Sequence, residues 1–136
     1  MATVNVTLSL SSSDLFAKQN LSFTETDVLS PAGDQQLIGR IVTSGSGTKD
    51  NIATKALDGS ADRAYLFLHN TSEGVNEWVD VGLCSAHGSD SVAADVFAVI
   101  GPGEFLFLPI STMQDIDLEA NSGNPVVEYI LMEKAA

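Results

Sequence analysis

The chain has 136 residues, 44% of them apolar, and carries 18 acidic against 6 basic side chains, a formal net charge of −12. That length fits one domain with its own core, and that apolar content excludes a disordered chain. The shortage of Lys and Arg argues against a phosphate-contacting surface and against anionic lipid, so neither nucleic acid nor membrane is an expected partner.

Val4, Val6, Leu8 and Leu10 alternate with Thr3, Asn5, Thr7 and Ser9. This period of two predicts a half-buried strand near the start. Residues 1–14 read as an N-terminal strand or arm of a single β domain spanning 1–136. The opening MATVNVTLSLSSSD has no basic segment ahead of a long apolar one and does not read as a secretory signal. No run approaches the ~18 apolar residues of a membrane span. Ser11 to Asp14 is expected to break the strand, with Asp14 capping a short helical turn that reaches Lys18.

Leu21 to Thr26 alternates again and predicts a second strand. Ser30 to Asp34 reads as a turn, Gln36 to Thr43 as a strand, and Ser44 to Thr48 as a flexible loop. Asn51 to Leu57 fits either a strand or a short helix, closed by Asp58-Gly59-Ser60. Arg63 to His69 is a strand by its aromatic and apolar content, and Asn70 to Gly74 a turn. Glu77 to Leu83 places Trp78 and Asp80 on one face, Val79 and Val81 on the other. Ser85 to Asp90 is a polar loop, and the second half of Ser91–Ile100 is a strand.

Residues 97–111, FAVIGPGEFLFLPIS, put two apolar runs around Gly101-Pro102-Gly103-Glu104. They read as a central hairpin whose ladder stops at Pro109. Phe105 and Phe107 alternate with Leu106 and Leu108, so both faces of the second strand are apolar. One face suits a core; the other needs cover from a loop or another subunit. Ile116 to Leu118 and Val126 to Met132 complete the series. About nine short strands with turn signals every 8–12 residues predict an all-β fold, an antiparallel β-sandwich or jelly-roll-like barrel of 8–9 strands.

The residues that carry chemistry elsewhere do not assemble a recognisable motif here. Ser44 to Asp50 glances at a phosphate loop, but Lys49 follows Thr48 and no helix is expected after it. Cys84, His87 and His69 are too few for a closed zinc site, and Cys84 reads as a small buried hydrophobe. Asp115, Asp117 and Glu119 share one strand face. They suit either a cation or, as the favoured expectation, a solvated face that discourages edge pairing. Sugar cleavage or binding would draw on aromatics, and the chain has one Trp, Trp78, and two Tyr. Asn5, Asn20 and Asn70 begin Asn-x-Ser/Thr triplets, read as chance occurrences. The expectation is a non-enzymatic domain with no catalytic, cofactor-binding or metal residues and no cofactor.

Residues 64–131 carry three segments that resemble small virion proteins of tailed bacteriophages: Ala64 to Ser72, Ile100 to Pro109, and Asp115 to Ala120 followed by Pro125 to Leu131. The closing Val127-Glu128-Tyr129 is similar to segments of capsid decoration, or cement, proteins, and Val4–Leu10 followed by Ser11 to Leu15 fits the same group. The resemblance implies a homo-oligomer, often a trimer, that docks on the major capsid protein at the outer surface of the virion. It implies no active site. Within that reading, Val4–Leu10 and the stretch Lys49–Asp58 are the candidate shell contacts. A carbohydrate- or receptor-binding module of a tail or head fibre is the alternative.

Overall fold

The computed structural model describes residues 3–16, 19–29, 31–52, 63–83, 96–111 and 115–134. Among them ten strands form: β1 (Val4–Phe16), β2 (Gln19–Leu29), β3 (Pro31–Val42), β4 (Lys49–Ile52), β5 (Arg63–Asn70), β6 (Val79–Leu83), β7 (Val96–Ile100), β8 (Phe105–Ser111), β9 (Ile116–Ala120) and β10 (Val126–Lys134). The all-β expectation holds. Eight of the strands build two four-stranded sheets, ordered β3-β10-β5-β8 and β4-β9-β6-β7, with every pairing antiparallel. Apart from β6 to β7, each step from β3 to β10 carries the chain to the opposite sheet. This is jelly-roll topology, two interleaved Greek keys.

The core lies between the sheets because the period-two pattern turns one face of each inward. Ala64, Leu66, Leu68, Val127 and Leu131 from one sheet meet Ile52, Val79, Val81, Ile100, Ile116 and Leu118 from the other. Tyr129 lies across Gly39 on the neighbouring strand, where an added Cβ would come within 2.8 Å of the ring. The glycine therefore makes room for the aromatic.

Four local expectations are corrected. β1 runs through Ser11–Asp14 to Phe16, with a register irregularity between Ser12 and Phe16, so no helical turn opens at Asp14. Pairing with β2 supplies hydrogen-bond partners that a lone Ser-rich segment lacks. Pro31 to Asp34 belongs to β3 rather than to a turn. β7 and β8 are not a hairpin: β7 pairs with β6, and β8 with β5 in the other sheet. Gly101 to Glu104 is thus a tight corner between sheets, with Gly103 at φ 74° and the Gly101 N–H donating to Glu104 Oε2 at 2.7 Å. Pro109 does not end its ladder, which continues to Ser111. β8 is an edge strand, where a missing N–H costs no ladder bond if it points away from β5.

Of the segment Asn51–Leu57, read as strand or short helix, Asn51 and Ile52 belong to β4, and residues 53–62 lie outside the described residues. Cys84, His87 and the loop Ser85–Asp90 also lie outside them.

Candidate functional site

β1 and β2 form a two-stranded sheet of their own. Their register pairs Val4 with Leu29, Leu8 with Glu25 and Leu10 with Phe23, so these residues share a face with Val6, Asp27 and Leu21. The opposite face pairs Thr7 with Thr26 and Ser9 with Thr24, their hydroxyl oxygens 3.0 and 3.4 Å apart. One side of the hairpin therefore carries an apolar row with Glu25 and Asp27 set into it, and the other is mainly hydroxylated, with Val28 exposed beside Asn5. Its first strand has 13 residues, about 40 Å of extended chain.

The base of the apolar side rests on the jelly roll. Leu29 is buried with Tyr65 and Met132, and Val4, Val6, Phe107 and Ile130 pack against that cluster. These partners belong to the outer face of the sheet β3-β10-β5-β8, the face turned away from the core. Beyond the base the hairpin is bare: Leu8, Leu10 and Phe23 are 47, 46 and 44% exposed.

The sheet face beneath shows the same division. Three successive cross-strand rows run Pro109–Tyr65–Met132, then Phe107–Phe67–Ile130–Ile38, then Phe105–His69–Glu128–Arg40. Tyr65 and Met132 in the first row are buried under the hairpin. Ile38 in the second and Phe105 in the third are 72 and 64% exposed. Tyr65 stacks on Phe107 at 6.1 Å between centroids, and Phe67 on Phe105 at 6.2 Å. Ile38, Arg40, Phe67, Glu128 and Ile130 line a shallow groove of about 470 Å³. Glu128 bridges Arg40 at 3.8 Å and reaches His69 at 3.9 Å, closing the third row with exposed charge.

The doubly apolar character of β8 is explained in this arrangement. Leu106 and Ile110 pack on the core, Phe107 helps seat the hairpin, and Phe105 is left in solvent.

The acidic strand face behaves differently from its expectation. Asp115 and Asp117 are buried, at 4 and 6% exposure, so they do not form a solvated face. The reason is position: β9 is an inner strand, flanked by β4 and β6, and has no edge to protect. Asp117 Oδ1 accepts from Asn51 Nδ2 at 2.9 Å, and Glu119 Oε1 accepts from the Gly47 N–H at 3.0 Å. Glu119 lies between Lys49 on β4 and Asp80 on β6. Partial burial, with a smaller contribution from the Glu119 charge, pushes the Asp80 carboxyl above its ordinary range. Among the described residues no group of three or more His, Cys, Asp or Glu is disposed to hold a metal ion. The Ser44–Thr48 loop is tied down at Ser44, whose N–H and hydroxyl donate to Asp50 at 2.7 and 2.8 Å.

Trp78 is 42% exposed beside the turn at Asn121, whose side-chain oxygen accepts from its backbone N–H. Sequence reasoning missed Asn70. It is fully buried, which removes it as a glycan acceptor, and its side chain spans the two sheets. Nδ2 donates to the carbonyls of Glu77 and Ile100 at 2.8 and 3.2 Å, and Oδ1 accepts from the Ser72 N–H at 3.1 Å.

No family model and no curated protein matches the chain. A solved structure described as "Bacillus endospore appendages form a novel family of disulfide-linked pili" aligns with a TM-score of 0.45 and 10% identity, covering 75% of this chain and 88% of that one. The resemblance to phage decoration proteins therefore rests on the residues quoted for it.

Proposed function

We propose that the chain is a non-enzymatic structural protein of a bacteriophage virion that binds the major capsid protein from outside and reinforces the shell as a homo-oligomer. The observation that supports this most directly is the hairpin: a long apolar ribbon, half seated and half bare, projecting from a jelly roll. An apolar face of that kind is a binding surface rather than a reaction centre. Jelly rolls serve in capsid and lectin domains, an analogy of fold alone. The charge of −12 keeps unbound copies soluble, so docking falls to shape and apolar contact. The test is co-sedimentation with expanded shells. The whole chain is expected to pellet with them, and a truncation beginning after Leu10 to lose most of that binding. Undiminished binding by the truncated chain would show that the shell requires neither Val4–Leu10 nor the assembly that this strand supports.

The exposure of Trp78 favours a second reading, a carbohydrate- or receptor-binding module of a tail or head fibre. Glycan-array binding that disappears in Trp78→Ala is the expected outcome under that reading.

A further inference from the structure

We infer that the bare half of the β1–β2 hairpin seats on a second copy of this chain, against the uncovered half of its outer sheet face. Leu8, Leu10 and Phe23 of one copy lie over Ile38, Phe67 and Phe105 of the next. The inference deepens the structural reading above and rests on its premise that the chain works as an assembly.

Three observations lead to it. The first is continuity. The chain already makes this contact with itself, through Val4, Val6 and Leu29 on Tyr65, Met132, Phe107 and Ile130. Past the contact both partners carry exposed apolar side chains interleaved with charge. On the hairpin the apolar row extends through Leu8, Leu10 and Phe23; on the sheet it extends through Ile38 and Phe105. A surface that accepts one half of the hairpin face is suited to accept the other half from a neighbour.

The second is stability. A two-stranded ribbon is marginal in water unless its apolar face is covered. Seated, the base of this ribbon is secure, while Leu8, Leu10 and Phe23 in the outer half remain nearly half exposed.

The third is charge. The apolar face of the hairpin carries two carboxylates, Glu25 and Asp27, and both are exposed. In the bare rows the basic side chain is Arg40, two-thirds exposed next to Ile38 and bridged at 3.8 Å to Glu128, a bridge that Glu25 or Asp27 of a neighbour would extend. Between molecules of strongly negative net charge, this pairing of opposite signs fixes where apolar surfaces meet. A reciprocal arrangement closes a dimer, and a head-to-tail one closes a ring such as a trimer.

Analytical ultracentrifugation of the full chain tests the contact. The wild type is expected to sediment as a closed oligomer at about 100 μM, and a monomer at that concentration would overturn the inference. Leu10→Glu with Phe23→Glu removes the donor face; Ile38→Glu removes the acceptor face. Each is expected to weaken association at least tenfold while far-UV circular dichroism stays that of the wild type, since all three side chains are exposed. Mixing the two weakened variants is expected to give a mixed complex, because the Ile38→Glu chain keeps its hairpin face and the double variant keeps its sheet face. Arg40→Glu is expected to weaken association and Glu25→Arg in the same chain to recover it. Unchanged mass in either apolar variant, or no complex on mixing, would overturn the contact. Shell co-sedimentation separates the two ideas. Hairpin-dependent oligomers that ignore shells would leave the contact standing and remove the capsid reading. Monomers that bind shells would do the reverse.

Discussion

Asn70 ties the two sheets together at one end of the sandwich, and its side chain forms three hydrogen bonds from a fully buried position. Its backbone adds two more, donating to the Glu104 carbonyl and accepting from the Gly103 N–H. Replacing it with Ala strands the carbonyls of Glu77 and Ile100, and a buried unpartnered polar group costs about 1–3 kcal/mol. Asn70→Ala is therefore expected to lower the unfolding free energy by roughly that amount or somewhat more, measured by urea titration. In sequence Asn70 reads as a turn former with a chance glycosylation triplet, because nothing local reveals that its turn is the place where the sheets meet. Asp80 has the opposite effect on stability. Its carboxyl binds a proton more tightly in the folded chain than in the unfolded one. The stabilisation that gives is complete below the ordinary carboxylate range and is lost as pH rises through the raised folded value. At neutral pH the ionised group faces Glu119 across paired strands and weakens the fold. Asp80→Asn is expected to raise the melting temperature at neutral pH, and the advantage should shrink as the medium is acidified toward about pH 4.

At the scale of elements, the hairpin and the jelly roll are joined by one small cluster centred on Leu29. Leu29→Ala removes the buried side chain that the hairpin contributes to that cluster without touching the inter-sheet core. Hydrogen exchange is expected to show β1 and β2 losing protection while β5 and β10 keep theirs; equal loss in both would show that hairpin and body unfold together. The alternation that makes the hairpin two-faced was legible from Val4–Leu10 and Leu21–Thr26. Its length was not, since Ser11 to Asp14 carry turn-forming side chains, yet pairing with β2 continues through Ser11 and Ser12 and resumes at Phe16. The corner at Gly101–Glu104 was misread for a related reason. A Gly-Pro-Gly turn between two apolar strands looks alike whether the strands pair with each other or diverge into separate sheets. The apolar excess of β8 was the better signal, since it marked a strand with two surfaces to satisfy.

Across the whole molecule, strand content and inward-facing residues followed from periodicity, while sheet membership did not. A period of two states which side chains share a face; it does not say which neighbour supplies the hydrogen bonds. The burial of Asp115 and Asp117 was hidden for the same reason, as it depends on β9 lying inside its sheet. The strand order also governs the timing of folding. β9 sits between β4 and β6, and β10 between β3 and β5. Among the described residues, the two strands nearest the C-terminal side, β9 and β10, are interior strands, one in each sheet. Until residues 116–134 emerge, both sheets have a gap at their centre and neither face of the core can close. The ribbon β1–β2, whose pairs are local, is meanwhile free to form early. A nascent chain at that stage shows its finished apolar arm before it has a body to seat it, and long-range β pairing is the slow step. Under the copy-to-copy contact inferred above, assembly would be ordered in time: the inserting arm forms before the sheet face that receives it is complete.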